Sequence, residues 1–382
     1  MKNMRYDNMV KLSVVIPCFN EEQTLRACLE NLFDIADENL SLEIIIVDDC
    51  STDQSFSIAT ELVENYSEIK LLRHERNKGK GAALRSGFAK ATGDFVAVQD
   101  ADLEYDPIDL KRLLIPLIND DADVVLGSRF LSTGAHRVLY FWHYMGNRFL
   151  TFLSNMFTDL NLTDMESGYK VFRRDVLQSI NIEENGFGFE PEIVAKVAHM
   201  RLRIYEMGIS YHGRTYDEGK KIGLKDGFRA LYCIFRYNAY RAPLPAQFLL
   251  YLLIGGCAAV INLIIFGIML SSGLSLTIST LSAFIIAAVI NYLLCILILF
   301  RHKARWNSWA EILIYVVIVG VVSLFDLEIT KSLFKFGASP LLSKAVATAI
   351  VLILNFSGRR YFVFPEPTSG PWRSRGVAIR NE

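Results

Sequence analysis

The sequence has no CxxC pair. Its six cysteines (Cys18, Cys28, Cys50, Cys233, Cys257, Cys295) stand singly along 382 residues. Such spacing excludes the usual zinc clusters and a disulfide framework, and it suits reduced thiols facing a cytosol. An excess of one charge is also missing. Lysine and arginine number 40 against 41 acidic residues, a net charge of −1. Nothing in that balance argues for nucleic acid as a partner. Charged residues are few at 21%, whereas apolar ones make up 52%. Those proportions rule out a disordered chain and an ordinary water-soluble enzyme. No GxGxxG follows the first apolar run, and no Lys-Ser/Thr closes the glycine-rich stretch Asn77–Ala83. Neither a dinucleotide fingerprint nor a P-loop is therefore present. The first 20 residues hold no apolar segment with a small-residue cleavage site, so no cleavable signal peptide is expected.

What is present divides into two halves. Ala246–Leu270 and Leu274–Phe300 carry no charge and are long enough to cross a hydrocarbon core. Ile312–Phe325 and Leu341–Phe356 are shorter. An offset of 64 residues maps Ala246 onto Ala310, Tyr251 onto Tyr315, Gly256 onto Gly320 and Asn291 onto Asn355. The repeat implies a membrane region built from a pair of helical hairpins, four spans in all. Arginine and lysine gather before the first span (Arg236, Arg241), between the second and third (Arg301, Lys303, Arg305) and after the fourth (Arg359, Arg360, Arg373). Both termini and the N-terminal domain are thus expected on the cytoplasmic side of the cell membrane. Lys225–Arg241 interleaves Arg229, Arg236 and Arg241 with aromatic residues. It reads as an interfacial helix with aromatics inward and arginines toward lipid phosphate.

The first half alternates apolar runs (12–16, 42–47, 69–72, 95–98, 123–126) with helical patterns. That predicts an α/β fold with a mostly parallel sheet covered on both faces. Ligands of such sheets bind beyond the carboxyl ends of the strands. Polar clusters stand there: Pro17–Glu21, Asp48–Asp53, Asp100–Glu104 and Gly127–Arg129. Asp100-Ala101-Asp102-Leu103-Glu104 places three carboxylates within five residues, a hard-oxygen set for Mg2+ or Mn2+. A lone DxD also suits a capped turn. The glycines of Asn77–Ala83 suit either close approach to a phosphate or helix packing.

The motifs PxxNE (17–21), VDDxSTD (47–53), NxGKGAA (77–83), DADLE (100–104), GSR (127–129) and ESGYKVFRRD (166–175) together resemble family 2 glycosyltransferases of the GT-A fold. More narrowly they are similar to the dolichyl-phosphate mannose or glucose synthase branch, and the repeated helices resemble a GtrA-like membrane domain. The organisation that follows is a cytoplasmic GT-A domain over 1–224, an interfacial helix over 225–243, a membrane domain over 244–365 and a tail over 366–382. The resemblance implies that Pro17, Phe19, Glu21, Val47 and Asp49 hold the nucleoside. Lys80, Asp100, Ala101, Arg214 and Lys220 would serve the rest of the donor. It gives Asp100, Asp102 and Glu104 to the metal, and Arg129 to the lipid phosphate.

The implied reaction passes a hexose from a nucleotide sugar, GDP-mannose or UDP-glucose, to a polyprenyl monophosphate. A phosphomonoester is largely dianionic at neutral pH and needs no strong base. If one is used, Asp164 leads, with Glu190 or Glu192 behind it. Arg137, His143 and Arg148 are further candidates for the acceptor phosphate. Copies are expected to associate through the membrane helices. Two rival readings stay open, a processive polysaccharide synthase and a lipid transporter with a regulatory soluble domain. The first lacks its QxxRW motif here.

Overall fold

The computed structural model describes residues 9–131, 137–138, 140–214, 223–274, 276–299, 308–338, 346, 350, 352–363 and 372. The chain divides into two compact units, Met1–Asn238 with Gly370–Glu382, and Ala239–Ser369. In the first, β1 (Val10–Cys18), α1 (Leu25–Phe33), β2 (Leu40–Asp48), α2 (Ser55–Asn65), β3 (Ile69–Arg73), α3 (Lys80–Phe88), β4 (Phe95–Val98), α4 (Ile108–Ile118) and β5 (Val124–Ser128) alternate. Then come α5 (Phe141–Thr158), β6 (Lys170–Arg173), α6 (Arg174–Ser179), α7 (Phe189–His199), β7 (Ile204–Gly208) and α8 (Leu224–Asn238).

The seven strands lie in the order β3-β2-β1-β4-β6-β5-β7. All pairs are parallel except those of β6, which runs antiparallel to β4 and β5. The five apolar runs are the five strands the sequence predicts. In all but the edge strand β3 the side chains are buried on both faces, as in Val14, Ile45, Val96 and Val125, because helices cover both sides of the sheet. β6 and β7 go beyond the sequence expectation. Each is short and polar in places (KVFR, IYEMG), so neither carries an apolar run.

Chain order reverses between β1 and β4. β2 and β3 extend the sheet to one side of β1, and β4 lies on the other. This is the topological switch point, where the loops after two adjacent strands diverge and leave a crevice. Pro17–Glu21 and Asp100–Glu104 are those two loops.

β2 holds two buried acids, Glu43 and Asp48. Glu43 is 3% exposed. It accepts hydrogen bonds from Lys70 Nζ (2.6 Å), Thr92 N (2.8 Å), Thr92 Oγ1 (2.7 Å) and the Ser13 hydroxyl. Burial alone would raise its pKa, but Lys70, Ser13 and Thr92 outweigh burial and hold the carboxyl down, from 4.5 to about 2. A carboxyl whose folded value is depressed stabilises above its unfolded value and stops doing so as pH falls through the folded one. Glu43→Gln should therefore cost on the order of 2 kcal/mol at pH 7, after screening at the half-exposed Lys70. The difference from wild type should close between about pH 4.5 and 2. Thermal unfolding of both proteins across that range checks it; a pH-independent difference counts against the assignment.

α8 departs from expectation. Arg229 pairs with Glu184 at 2.5 Å and Arg236 with Glu183 at 3.3 Å. Ala230, Cys233, Ile234 and Tyr237 are buried, whereas Phe228 and Tyr232 face outward, 72% and 48% exposed. The acids of the Glu183–Glu184 loop neutralise the arginines and orient the helix.

In the second unit, α9 (Leu244–Ser271), α10 (Leu276–Leu294) and α11 (Ser308–Lys335) are the long helices. Pro245 lies in the first turn of α9, where its missing N–H costs nothing. Among the described residues one helix window, Leu244–Ile261 with mean hydropathy 2.0, is long and apolar enough to cross a membrane. Phe356, in the helical stretch 352–358, packs against Phe248 and Tyr251 of α9, with ring centroids 5.2 and 5.3 Å apart. Most of 341–351 and of the tail lies outside the described residues.

Candidate active site

A cavity of about 680 Å3 opens at the switch point within the first unit. Its wall gathers Pro17, Phe19, Glu21, Asp49, Lys80, Asp100, Ala101, Asp102, Glu104, Arg129, His143 and Arg214. These residues come from widely separated stretches of sequence. Val47 is buried inside β2 and Asp164 lies behind Arg129. Arg137 donates to the Gly213 carbonyl at 2.9 Å. Arg148 is exposed on α5, and neither arginine lines the cavity. Lys220 lies outside the described residues.

Asp49 is 2% exposed and anchors the next loop. Its oxygens accept from the backbone N–H of Lys78 (2.9 Å) and Gly79 (2.6 Å), and Oδ1 lies 2.6 Å from His74 Nδ1. The other His74 nitrogen meets Ser86 Oγ at 2.9 Å. Gly79 has φ +95°, and a Cβ there would stand 2.5 Å from the Asn185 carbonyl oxygen. Only glycine fits such a conformation so close to a neighbouring backbone. The glycine-rich loop is thus shaped by packing on residues 184–186, which aims Lys80 inward.

Lys80 bridges two acids, Asp100 at 2.9 Å and Glu190 at 3.1 Å. Asp100, expected with the metal ligands, meets Lys80 here. Asp102 and Glu104 share another cation. Arg214 Nη2 lies 2.9 Å from Asp102 Oδ2, and its Nε lies 3.4 Å from Glu104 Oε1. Tyr211 donates its hydroxyl to Glu104 at 3.2 Å. Burial first, then the Asp100 and Glu104 carboxylates, push Asp102 up to about 7 although Arg214 opposes them. Among the described residues no three His, Cys, Asp or Glu side chains converge as a finished metal cage. Two crowded carboxylates, open to a diphosphate, still form a donor set that fits Mg2+ or Mn2+. Mg2+ commonly takes one or two carboxylates plus substrate phosphates.

Arg129, also on the cavity wall, is gripped by Asp164. Nε and Nη2 meet the two carboxylate oxygens at 2.7 Å each, and the Arg129 backbone N–H adds a bond of 3.0 Å. Asp164 spends both oxygens here, so the geometry makes it the holder of Arg129 in place of a general base. Glu206 secures the same turn by accepting from the N–H groups of Thr163 and Asp164. The sequence carries no signal of that 42-residue reach. Two further wall residues escape a reading of the sequence. Tyr105 stacks on Tyr169 at 4.7 Å and accepts from Gly168 N–H at 3.1 Å. Glu166 is pushed up to about 8, by burial and then by Glu190. Cys18 also lines the wall, but burial and then Asp48 hold its pKa near 12, so it is no nucleophile.

Residues 13–180 match the family described as glycosyl transferase family 2. Residues 250–364 match the GtrA/DPMS transmembrane domain. The chain thus carries a glycosyl transferase family 2 domain, and its second domain marks it as a membrane protein. It is 31% identical over 235 residues to the low-salt glycan biosynthesis hexosyltransferase Agl6 of Haloferax volcanii, covering 61% of this chain and 54% of that protein. With the dolichol-phosphate mannosyltransferase of Pyrococcus furiosus the identity is 29%, over 56% of this chain and 61% of the relative. With the UDP-N-acetylglucosamine–dolichyl-phosphate N-acetylglucosaminyltransferase of Methanococcus voltae it is 28%, over 57% and 92%. The matches thus span about half to three fifths of the length of the first two relatives. The cavity offers an acidic edge for a cation and a buried arginine for an anion.

Proposed function

We propose that the chain transfers a hexose, with inversion and with Mg2+ or Mn2+, from a nucleotide-diphosphate sugar to a polyprenyl monophosphate. GDP-mannose is the favoured donor and UDP-glucose the second. The carrying observation is that one cavity at the switch point holds both the Asp102–Glu104 pair and the Asp164-held Arg129. Two anionic reactants need positive charge offered to each of them to meet. The names of two relatives, acting on dolichyl phosphate, and the GtrA/DPMS domain support a lipid acceptor.

In this reading Pro17, Phe19 and Glu21 border the nucleoside, and Asp49 acts through the loop it holds. Asp102 and Glu104 hold the divalent ion. When bound, that ion supplies electrostatic stabilisation to the departing diphosphate. Arg129 aims the acceptor phosphate, which is already deprotonated enough to attack. His143, on the wall beside it, is a second contact for that phosphate. Residues 244–365 form four spans, with the catalytic domain and both termini cytoplasmic. Anchoring in the bilayer confines enzyme and isoprenoid to one surface and raises their effective concentration.

Membranes carrying the full chain, given labelled GDP-mannose or UDP-glucose with a polyprenyl phosphate, should yield a labelled lipid. EDTA should abolish it and Mg2+ or Mn2+ restore it. A long labelled polymer would point instead to a polysaccharide synthase, and no incorporation from any donor to a transport role.

A further inference from the structure

We infer that Arg214 is a built-in substitute for the metal, occupying the ion's position between Asp102 and Glu104 until the ion displaces it toward the donor diphosphate. The inference rests on reading Asp102 and Glu104 as the ion's ligands. Arg129 takes Asp164 with two nitrogens at once. Arg214 does otherwise. One nitrogen goes to Asp102 (2.9 Å) and another to Glu104 (3.4 Å), and Nη1 lies 3.9 Å from Glu21. The guanidinium spans the gap between two acids, which is where a bridging ion would sit.

The backbone beneath it is fixed. His212 N–H donates to the Glu104 carbonyl at 2.9 Å, Tyr211 pairs with Tyr105, and Arg137 holds the Gly213 carbonyl at 2.9 Å. The side chain can therefore swing from a pivot held by these bonds. All three acids lie on the cavity wall, and the Arg214 side chain is 20% exposed there. A single charge shared by two carboxylates is a weaker neutraliser than a divalent ion held by the same oxygens. Guanidinium and ion cannot both fill the gap, so they compete. The released fork, with its fixed planar donors, matches a phosphate.

Competition is a negative coupling between two ligands of one site, of the order of ten-fold in affinity. The full detergent-solubilised chain is titrated with Mn2+ alone, without nucleotide, and free Mn2+ is read by electron paramagnetic resonance. Arg214→Gln should bind Mn2+ about ten-fold more tightly than wild type. The gain should vanish when Asp102→Asn is added. In the wild-type chain, mass spectrometry after phenylglyoxal treatment should find Arg214 protected without metal and modified with Mn2+. Equal Mn2+ affinity of wild type and Arg214→Gln, or equal Arg214 reactivity with and without Mn2+, overturns the exchange while leaving the metal site standing. Failure of every variant to bind Mn2+, even with a nucleoside diphosphate, overturns the metal reading and this inference with it.

Discussion

Asp102→Ala should lower hexose transfer by about 1000-fold, roughly 4 kcal/mol of transition-state stabilisation. Asp102 and Glu104 stand together on the cavity wall, with the Arg214 guanidinium spanning them. Removing one leaves a single carboxylate, which weakens the hold on the ion and misplaces it beside a diphosphate. The side chain is small and lies at a loop rim, so folding should survive. Its carboxyl is already pushed up to about 7 by burial and by its acidic neighbours. Loss of that charge relieves repulsion, and thermal stability should stay level or rise. Initial rates at saturating donor, with an unfolding curve beside them, measure both. Near-normal metal-dependent turnover in the variant would remove the acid pair from the mechanism.

Arg129→Ala should fail differently. The Asp164 side chain is wholly buried, and its two oxygens would lose both guanidinium bonds. Breaking a buried pair from one side costs about 3–5 kcal/mol. The single variant should therefore be unstable as well as inactive. Arg129→Gln combined with Asp164→Asn removes both charges and should recover much of that stability. If Arg129 aims the acceptor, this double variant should show a KM for lipid phosphate raised by about ten-fold or more, with the donor KM nearly unchanged. A rise confined to the donor KM would move Arg129 to the nucleotide side.

Much of the site is legible in the chain. Strands rich in Val and Ile advertise a two-sided sheet, and the residues after each run are the ones on the cavity wall. That link is direct, because a parallel sheet places all its carboxyl ends at one edge. Lys80 and Arg129 are visible as isolated cations in motifs. What they grip is not. Glu190 and Asp164 lie 110 and 35 residues away from them along the chain. The glycine-rich loop allows two readings, and the carbonyl of Asn185 decides for close packing.

The sequence by itself determined the parallel core, the order of its loops and the long apolar helices, since periodicity and run length are local properties. Only the tertiary structure decided how the charges are paired. Asp100 belongs to Lys80, Asp164 to Arg129, and the arginines of α8 to Glu183 and Glu184. An ion pair falls off with distance in space and carries no mark of separation along the chain. Which cation each acid meets is therefore settled when the strands and loops come together.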